Sequence, residues 1–173
     1  MTPKTPDQAA PWYAHGLKFA CTSCGNCCSG GPGYVWISQR EIERLAEFLR
    51  IRPDEVMERY CRKIGDRWSL SEIRSTGGNY DCVFLTTCPL PKTAGAGQVV
   101  QPTRICAVYP VRPLQCRTWP FWEGNLAGPE SWRRAGGRCP GMDCGKRYSR
   151  SEIDALRDAE DWPAPTQTPG KEK

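Results

Sequence analysis

A single histidine, His15, occurs in 173 residues, and that scarcity removes whole classes of chemistry. A Cys2His2 metal site needs two imidazoles, and catalytic zinc centres are built largely on histidine, so neither is open to this chain. His15 itself reads as a solvated residue rather than a ligand. Long apolar runs are also missing: nothing approaches the roughly 20 residues that cross a bilayer as a helix. Met1-Thr-Pro-Lys-Thr-Pro-Asp-Gln8 has no apolar centre that could serve as a signal peptide. The expectation is a cytoplasmic protein with no membrane partner. No G-x-G-x-x-G follows a strand, no lysine follows a phosphate-binding Gly-rich turn, and H-E-x-x-H and G-x-S-x-G are absent, so no enzymatic class is indicated. No full structural unit repeats.

Cysteine is what the chain has in excess, with eleven in total and four within the segment Cys21-Thr-Ser-Cys24-Gly-Asn-Cys27-Cys28. Each Cys-x-x-Cys step lets a tight turn aim two sulfurs at one point, so the overlapping steps direct at least three thiolates to a common centre. An odd count at short spacing in a reducing compartment favours metal or redox chemistry over a disulfide framework. A bridge between the neighbours Cys27 and Cys28 would sit in a strained ring. The formal charge of +5 is weak evidence for an acidic partner, because a divalent ion with four thiolates carries −2 and arginines nearby can neutralise it.

The length fits one domain, and Gly 17 with Pro 16 points to many turns, so a small, loop-rich α+β single domain is expected. Residues 1–17 read as a flexible N-terminal arm tethered by Trp12, Tyr13 and Leu17, residues 18–162 as the folded domain, and residues 163–173 as a disordered tail. Tyr34-Val35-Trp36-Ile37 is a β-prone run. Ser38 and Glu41 stand at capping-box spacing before Ile42, Leu45, Ala46 and Leu49, which predicts a helix over 39–50. Pro53 opens a second helix whose buried face would be Val56, Met57, Tyr60, Cys61 and Ile64, so the two form a helical hairpin and Cys61 is a buried small hydrophobe. Short extended pieces are expected at 68–70, 82–85 and 98–101, with an exposed excursion over 89–97 rooted at Cys88. Residues 102–144 carry few helical signals and read as irregular chain organised around metal. Ser149 and Glu152 cap a last helix over 150–161.

The remaining cysteines fall in Asp81-Cys82-x-Phe84-Leu85, in Cys106-x-x-Tyr109-x-x-Arg112-Pro113-x-x-Cys116-Arg117 ahead of Pro120-Phe121, and in Cys139-Pro-Gly. With the Cys21–Cys28 segment, these motifs in this order resemble the YkgJ-like, or CxxCxxCC, family of zinc- or iron-chelating domains, from Phe19 to about Gly145. The resemblance implies metal ligation by Cys21, Cys24, Cys27, Cys28, Cys82, Cys106, Cys116 and Cys139. It leaves out Cys61, Cys88 and Cys144, although Cys139-x4-Cys144 could place both sulfurs on one ion. The stretch between Cys82 and Cys106 is longer than the family pattern. Some flagellin lysine methylases carry a similar cluster, but no S-adenosylmethionine loop is present and methyl transfer does not carry over.

Eight thiolates exceed the four that one zinc ion or one cluster requires, so two centres, one polynuclear centre, or reserve cysteines are all open. Three cysteines at x2, x2 spacing with a remote Cys139-Pro140 are arranged as in ferredoxins, which inclines the cofactor toward an iron-sulfur cluster over Zn2+. Arg112 and Arg117 bracket Cys116 and could hydrogen-bond or neutralise the thiolates, or else fix loops through carboxylates such as Asp81. Trp119, Phe121 and Trp122 with Arg133, Arg134 and Arg138 could stack on and contact a nucleic acid, but fill a core more readily, and nucleic acid is not the expected partner. The function expected is chelation of iron or zinc, with a redox or metal- or cluster-handling role and a redox or protein partner. A zinc-stabilised interaction module and a metal-dependent enzyme or methyl-transfer accessory are the alternatives.

Overall fold

The computed structural model describes residues 10–88 and 103–159. The start of the expected arm, the 89–97 excursion, the strand expected at 98–101 and the tail lie outside the described residues. In chain order the elements are β1 (Leu17–Phe19), β2 (Ser29–Gly30), β3 (Trp36–Ile37), α1 (Gln39–Leu49), α2 (Pro53–Tyr60), β4 (Cys61–Ile64), β5 (Arg67–Leu70) and β6 (Glu72–Arg74). They continue with β7 (Tyr80–Cys82), β8 (Leu85–Cys88), β9 (Thr103–Cys106), α3 (Leu114–Thr118), α4 (Glu123–Leu126), α5 (Pro129–Gly136), β10 (Lys146–Tyr148) and α6 (Arg150–Arg157). Short 3-10 turns occur at Asn26–Cys28 and Tyr109–Val111. Helices and several small antiparallel sheets make the class α+β. The chain divides into two compact units, a central one (Thr22–Trp119) and a flanking one made of the residues up to Cys21 with Pro120–Asp158. No helix of the described residues is long and apolar enough to cross a membrane.

In the central unit, α1 begins where the sequence places it. Ser38 Oγ accepts from the Glu41 N–H at 3.3 Å, and Glu41 Oε2 accepts from the Ser38 N–H at 3.1 Å. Ile42, Leu45 and Ala46 then face inward, and Arg50 ends the helix in the left-handed region at φ 57. Val56 of α2 packs with them, and Ile37, Leu70, Phe84 and Val108 complete the core. The second helix is shorter than expected. Its apolar spacing runs on through Cys61 and Ile64, but Gly65 at φ +57 permits a tight turn, and Cys61–Ile64 folds back as β4 on β5, with Cys61 opposite Leu70. Four ladder pairs and the turn outweigh one more helical turn. Cys61 is buried in the same apolar cluster. The sheets are β3-β5-β4 and β2-β7-β6, with a separate β8-β9 hairpin; β6 had no counterpart in the sequence reading.

In the flanking unit β1 pairs antiparallel with β10, Leu17 opposite Tyr148. Trp12 Nε1 donates to the Leu126 carbonyl at 2.7 Å and Tyr13 Oη donates to Asp154 Oδ1 at 2.9 Å, so these residues tether the segment before β1. Phe121 is fully buried among Phe19, Trp132 and Tyr148, which makes it a core residue rather than a stacking platform. Residues 102–144 are not irregular: α3, α4 and α5 lie there. Helix α5 carries Pro129 at its first position, Arg133 and Arg134 in its last turn and Gly137 at its end, a start-and-stop pattern legible in the sequence. Only Trp132 on it is buried, and one residue has no period. The last helix carries the expected capping box and ends at Arg157.

Candidate metal centre

Gly25 makes the cysteine loop possible. It sits at φ +72, and a Cβ there would lie 2.9 Å from Leu85 Cδ1 and 3.1 Å from the Arg104 carbonyl oxygen, so the loop presses its backbone against the β8-β9 hairpin. The 3-10 turn that follows, closed by the Cys28 N–H donating to the Gly25 carbonyl at 3.0 Å, presents Cys27 and Cys28. Strand β2 then pairs with β7, Ser29 opposite Asp81, which sets Cys28 beside the end of β7, where Cys82 stands. Cys106 ends β9, opposite Leu85. An Arg104–Asp81 ion pair at 3.0 Å ties β9 to β7.

Cys116 rides on α3, and two side chains from elsewhere in the unit hold that helix. Glu41 Oε1 accepts from the Leu114 N–H at 2.6 Å. Gln115 Oε1 accepts from the Trp36 N–H at 2.8 Å, and Gln115 Nε2 donates to the Tyr34 carbonyl at 3.0 Å. A carboxylate that the sequence marks only as a helix cap thus also anchors the helix that carries a thiol.

Five thiols interact: Cys27, Cys28, Cys82, Cys106 and Cys116. The sulfurs of Cys27 and Cys28 are 3.9 Å apart. Cys28 hydrogen-bonds to Cys106 and to Cys27, which keeps its own proton on and pushes its pKa up. Its donation lowers Cys106 and Cys27 to about 7 each, against the opposing effect of burial, with Arg112 assisting both. Burial raises Cys82 to about 11, and burial together with the charges of Cys82, Cys27 and Cys106 raises Cys116 further. Because a lowered pKa populates the thiolate at lower pH, iodoacetamide labelling of Cys27 and Cys106 in metal-free protein should reach half its limiting rate near pH 7 rather than near an ordinary thiol's ~8.5. Peptide mapping across pH checks this; half-maximal labelling of both only above about pH 8.5 contradicts it.

Arg112 stacks on the Tyr109 ring at 3.8 Å and is the arginine whose charge reaches the thiols of Cys27, Cys106 and Cys116. Arg117 lies 3.7 Å from Glu41, and Asp81 takes Arg104 as its partner. Cys24 is half-buried in the same loop. Cys21 and Cys139 belong to the flanking unit, Cys21 exposed and Cys139 half-buried. Cys144 and Cys88 are exposed. Among the described residues no three Cys, His, Asp or Glu side chains already stand as a formed ligand set. In the central unit Cys28 hydrogen-bonds to Cys27 and Cys106 instead, and metal ligation would require the thiols to lose their protons. In donor chemistry, an all-thiol group with one arginine suits a thiophilic metal.

A family model described as "Putative zinc- or iron-chelating domain", CxxCxxCC, matches residues 20–140. The chain belongs to this family. Metal binding is the activity that membership of the CxxCxxCC family carries, and the match takes in the five interacting cysteines as well as Cys21, Cys24 and Cys139, stopping short of Cys144. The chain is also similar to the uncharacterized protein MJ0661 of Methanocaldococcus jannaschii, 29% identical over 109 residues, which cover 63% of this chain and 48% of that protein. The chain thus spans about half the length of that relative. No solved structure matches.

Proposed function

We propose that this CxxCxxCC protein handles a thiophilic metal ion in its central unit, with zinc preferred to an iron-sulfur cluster, through Cys27, Cys28, Cys82, Cys106 and Cys116. The observation that carries the reading is the 3.9 Å between the sulfurs of Cys27 and Cys28. Thiolates at about 2.3 Å from one tetrahedral ion stand about 3.8 Å apart along each edge. In a four-iron cluster each cysteine takes its own iron, so ligand sulfurs are held farther apart than that edge. The neighbouring thiols therefore favour one shared ion.

A handling role is supported by the number of donors. Five interacting thiols exceed the four positions of a tetrahedral ion, and Cys27 is exposed, so one sulfur at a time can be exchanged for a donor from outside without emptying the site. Arg112, held on Tyr109, offsets part of the −2 charge of a tetrathiolate site. Cys24, on the same loop, is a further central-unit donor in this reading.

An iron-sulfur cluster is the second reading, favoured by the x2, x2 spacing of Cys21, Cys24 and Cys27 with Cys139-Pro140. Elemental analysis with a sulfide assay on anaerobically isolated full chain separates the two. Zinc in a colourless protein free of acid-labile sulfide is expected; iron with matching sulfide and visible absorbance overturns the zinc reading.

A further inference from the structure

We propose that Glu72, paired with Arg62, is the positioning residue that holds Cys28 and Cys82 within reach of one metal ion. The inference rests on the central-unit metal reading above and adds to it a carboxylate that no cysteine motif marks.

Strand register places Glu72 beside a thiol. β6 pairs antiparallel with β7, with Glu72 opposite Cys82 and Ile73 opposite Asp81. Directly opposed residues on paired strands share a face and have Cβ atoms about 4.5–5.5 Å apart. Burial does most to raise the Cys82 thiol, and the nearby Glu72 charge adds to that effect. The Glu72 side chain is only 13% exposed, and a carboxylate so withdrawn from water needs partners.

The first partner comes from the chain that follows Cys28. That chain forms β2 on the edge of β7 opposite β6 and reaches Gly33 through Gly31-Pro32. The Gly33 N–H donates to both carboxylate oxygens of Glu72, at 3.2 Å to Oε1 and 3.1 Å to Oε2. The second partner is Arg62 of β4, whose Nη2 donates to Glu72 Oε2 at 2.8 Å and also to the Gly33 carbonyl. One ion pair thus takes both backbone groups of a single residue.

An arginine–glutamate pair near the surface contributes little to stability by itself, but this one closes a ring of contacts. Cys82 faces Glu72 across β7 and β6, Glu72 holds Gly33, Gly33 leads back along the chain to β2, and β2 pairs with β7. Cys28 immediately precedes β2, so fixing Gly33 and β2 against β7 fixes the Cys28 sulfur relative to Cys82. Gly33, Arg62 and Glu72 all lie outside the apolar cluster that stabilises the unit. Loosening the clamp therefore changes where the sulfurs stand more than whether the unit folds. Side chains that orient metal ligands from behind typically change affinity by about 10–100-fold when removed.

The test uses the full-length chain, loaded with Zn2+ for retention against a competing chelator and with Co2+ for its thiolate-to-metal absorption. Glu72→Ala should weaken retention about tenfold and reduce the cobalt–thiolate absorption as one of the sulfurs around the tetrahedral ion moves off it. Arg62→Ala, at a side chain 37% exposed, opens the same clamp from its other half and should act in the same direction. Glu72→Gln keeps an acceptor for the Gly33 N–H and should recover part of the loss. A merely structural role would lower stability and leave the cobalt spectrum as it is, which is the behaviour expected of Cys61→Ser in the apolar core. An unchanged spectrum in both Glu72→Ala and Arg62→Ala, with Cys106→Ser plus Cys116→Ser still weakening retention, overturns the inference. Unchanged retention in the Cys106/Cys116 variant overturns the central-unit reading instead, so the two failures are distinct.

Discussion

Cys106→Ser combined with Cys116→Ser is expected to cost the central unit its metal ion. The pair takes one sulfur from the end of β9 and one from α3, leaving Cys27, Cys28 and Cys82 of the five that interact. A structural zinc site in a small thiolate module is worth about 10–16 kcal/mol. Shared over four ligands, the one position that three thiols leave unfilled weakens binding by about 10²–10³-fold, since each 1.4 kcal/mol is tenfold. Competition with a chromophoric chelator measures the change, and retention within tenfold of the unsubstituted protein would falsify the ligand assignment. Cys61→Ser is the control. That thiol sits in the apolar core, and burial alone raises its pKa to about 11, so its replacement should reduce stability and leave metal affinity unchanged.

Glu41→Ala is expected to destabilise the central unit by about 2–4 kcal/mol. About 1 kcal/mol is the capping box, and about 1–3 kcal/mol is the cost of leaving the Leu114 N–H without its acceptor. The contact with Arg117, 3.7 Å away on a side chain 43% exposed, adds little. With a urea m-value of about 2 kcal/mol/M, the unfolding midpoint should fall by about 1–2 M. Metal affinity should fall with it, because α3 carries Cys116. Glu41→Gln separates the contributions. Glu41 uses one oxygen for Ser38 and the other for Leu114, whereas an amide has one acceptor, so roughly half the loss is expected. An unfolding midpoint that does not move in Glu41→Ala would remove Glu41 as the anchor of α3.

Much of the fold was legible along the chain wherever a local signal was sufficient. The capping boxes at Ser38 and Ser149 are both present, because the reciprocal hydrogen bonds involve residues three apart and need no tertiary partner. Pro53 opens α2 for the same reason. The reading failed where a neighbouring strand competed. Cys61–Ile64 has helical spacing but pairs with Arg67–Leu70, and the choice turns on Gly65 and on a surface the sequence does not display. Helix α5 failed in the opposite way, since its termini were marked and its single buried face residue, Trp132, was not enough to be seen as a pattern.

The cysteine site divides along the same line. The sequence by itself determined that thiol chemistry dominates, that histidine contributes no ligand pair, and that the chain is similar to the CxxCxxCC family, because residue type and short spacing are local properties. Only the tertiary structure decided which thiols share one network. Cys28 comes to Cys82 through the β2–β7 ladder, and Cys106 through the hairpin on which Gly25 rests. Cys116 depends on Glu41, some 70 residues earlier, whose carboxylate holds the Leu114 N–H. Cys21 and Cys139 fall in the flanking unit. Which sulfurs share a network depends on strand register and long-range hydrogen bonds, and these are properties of paired segments that no single stretch of chain encodes.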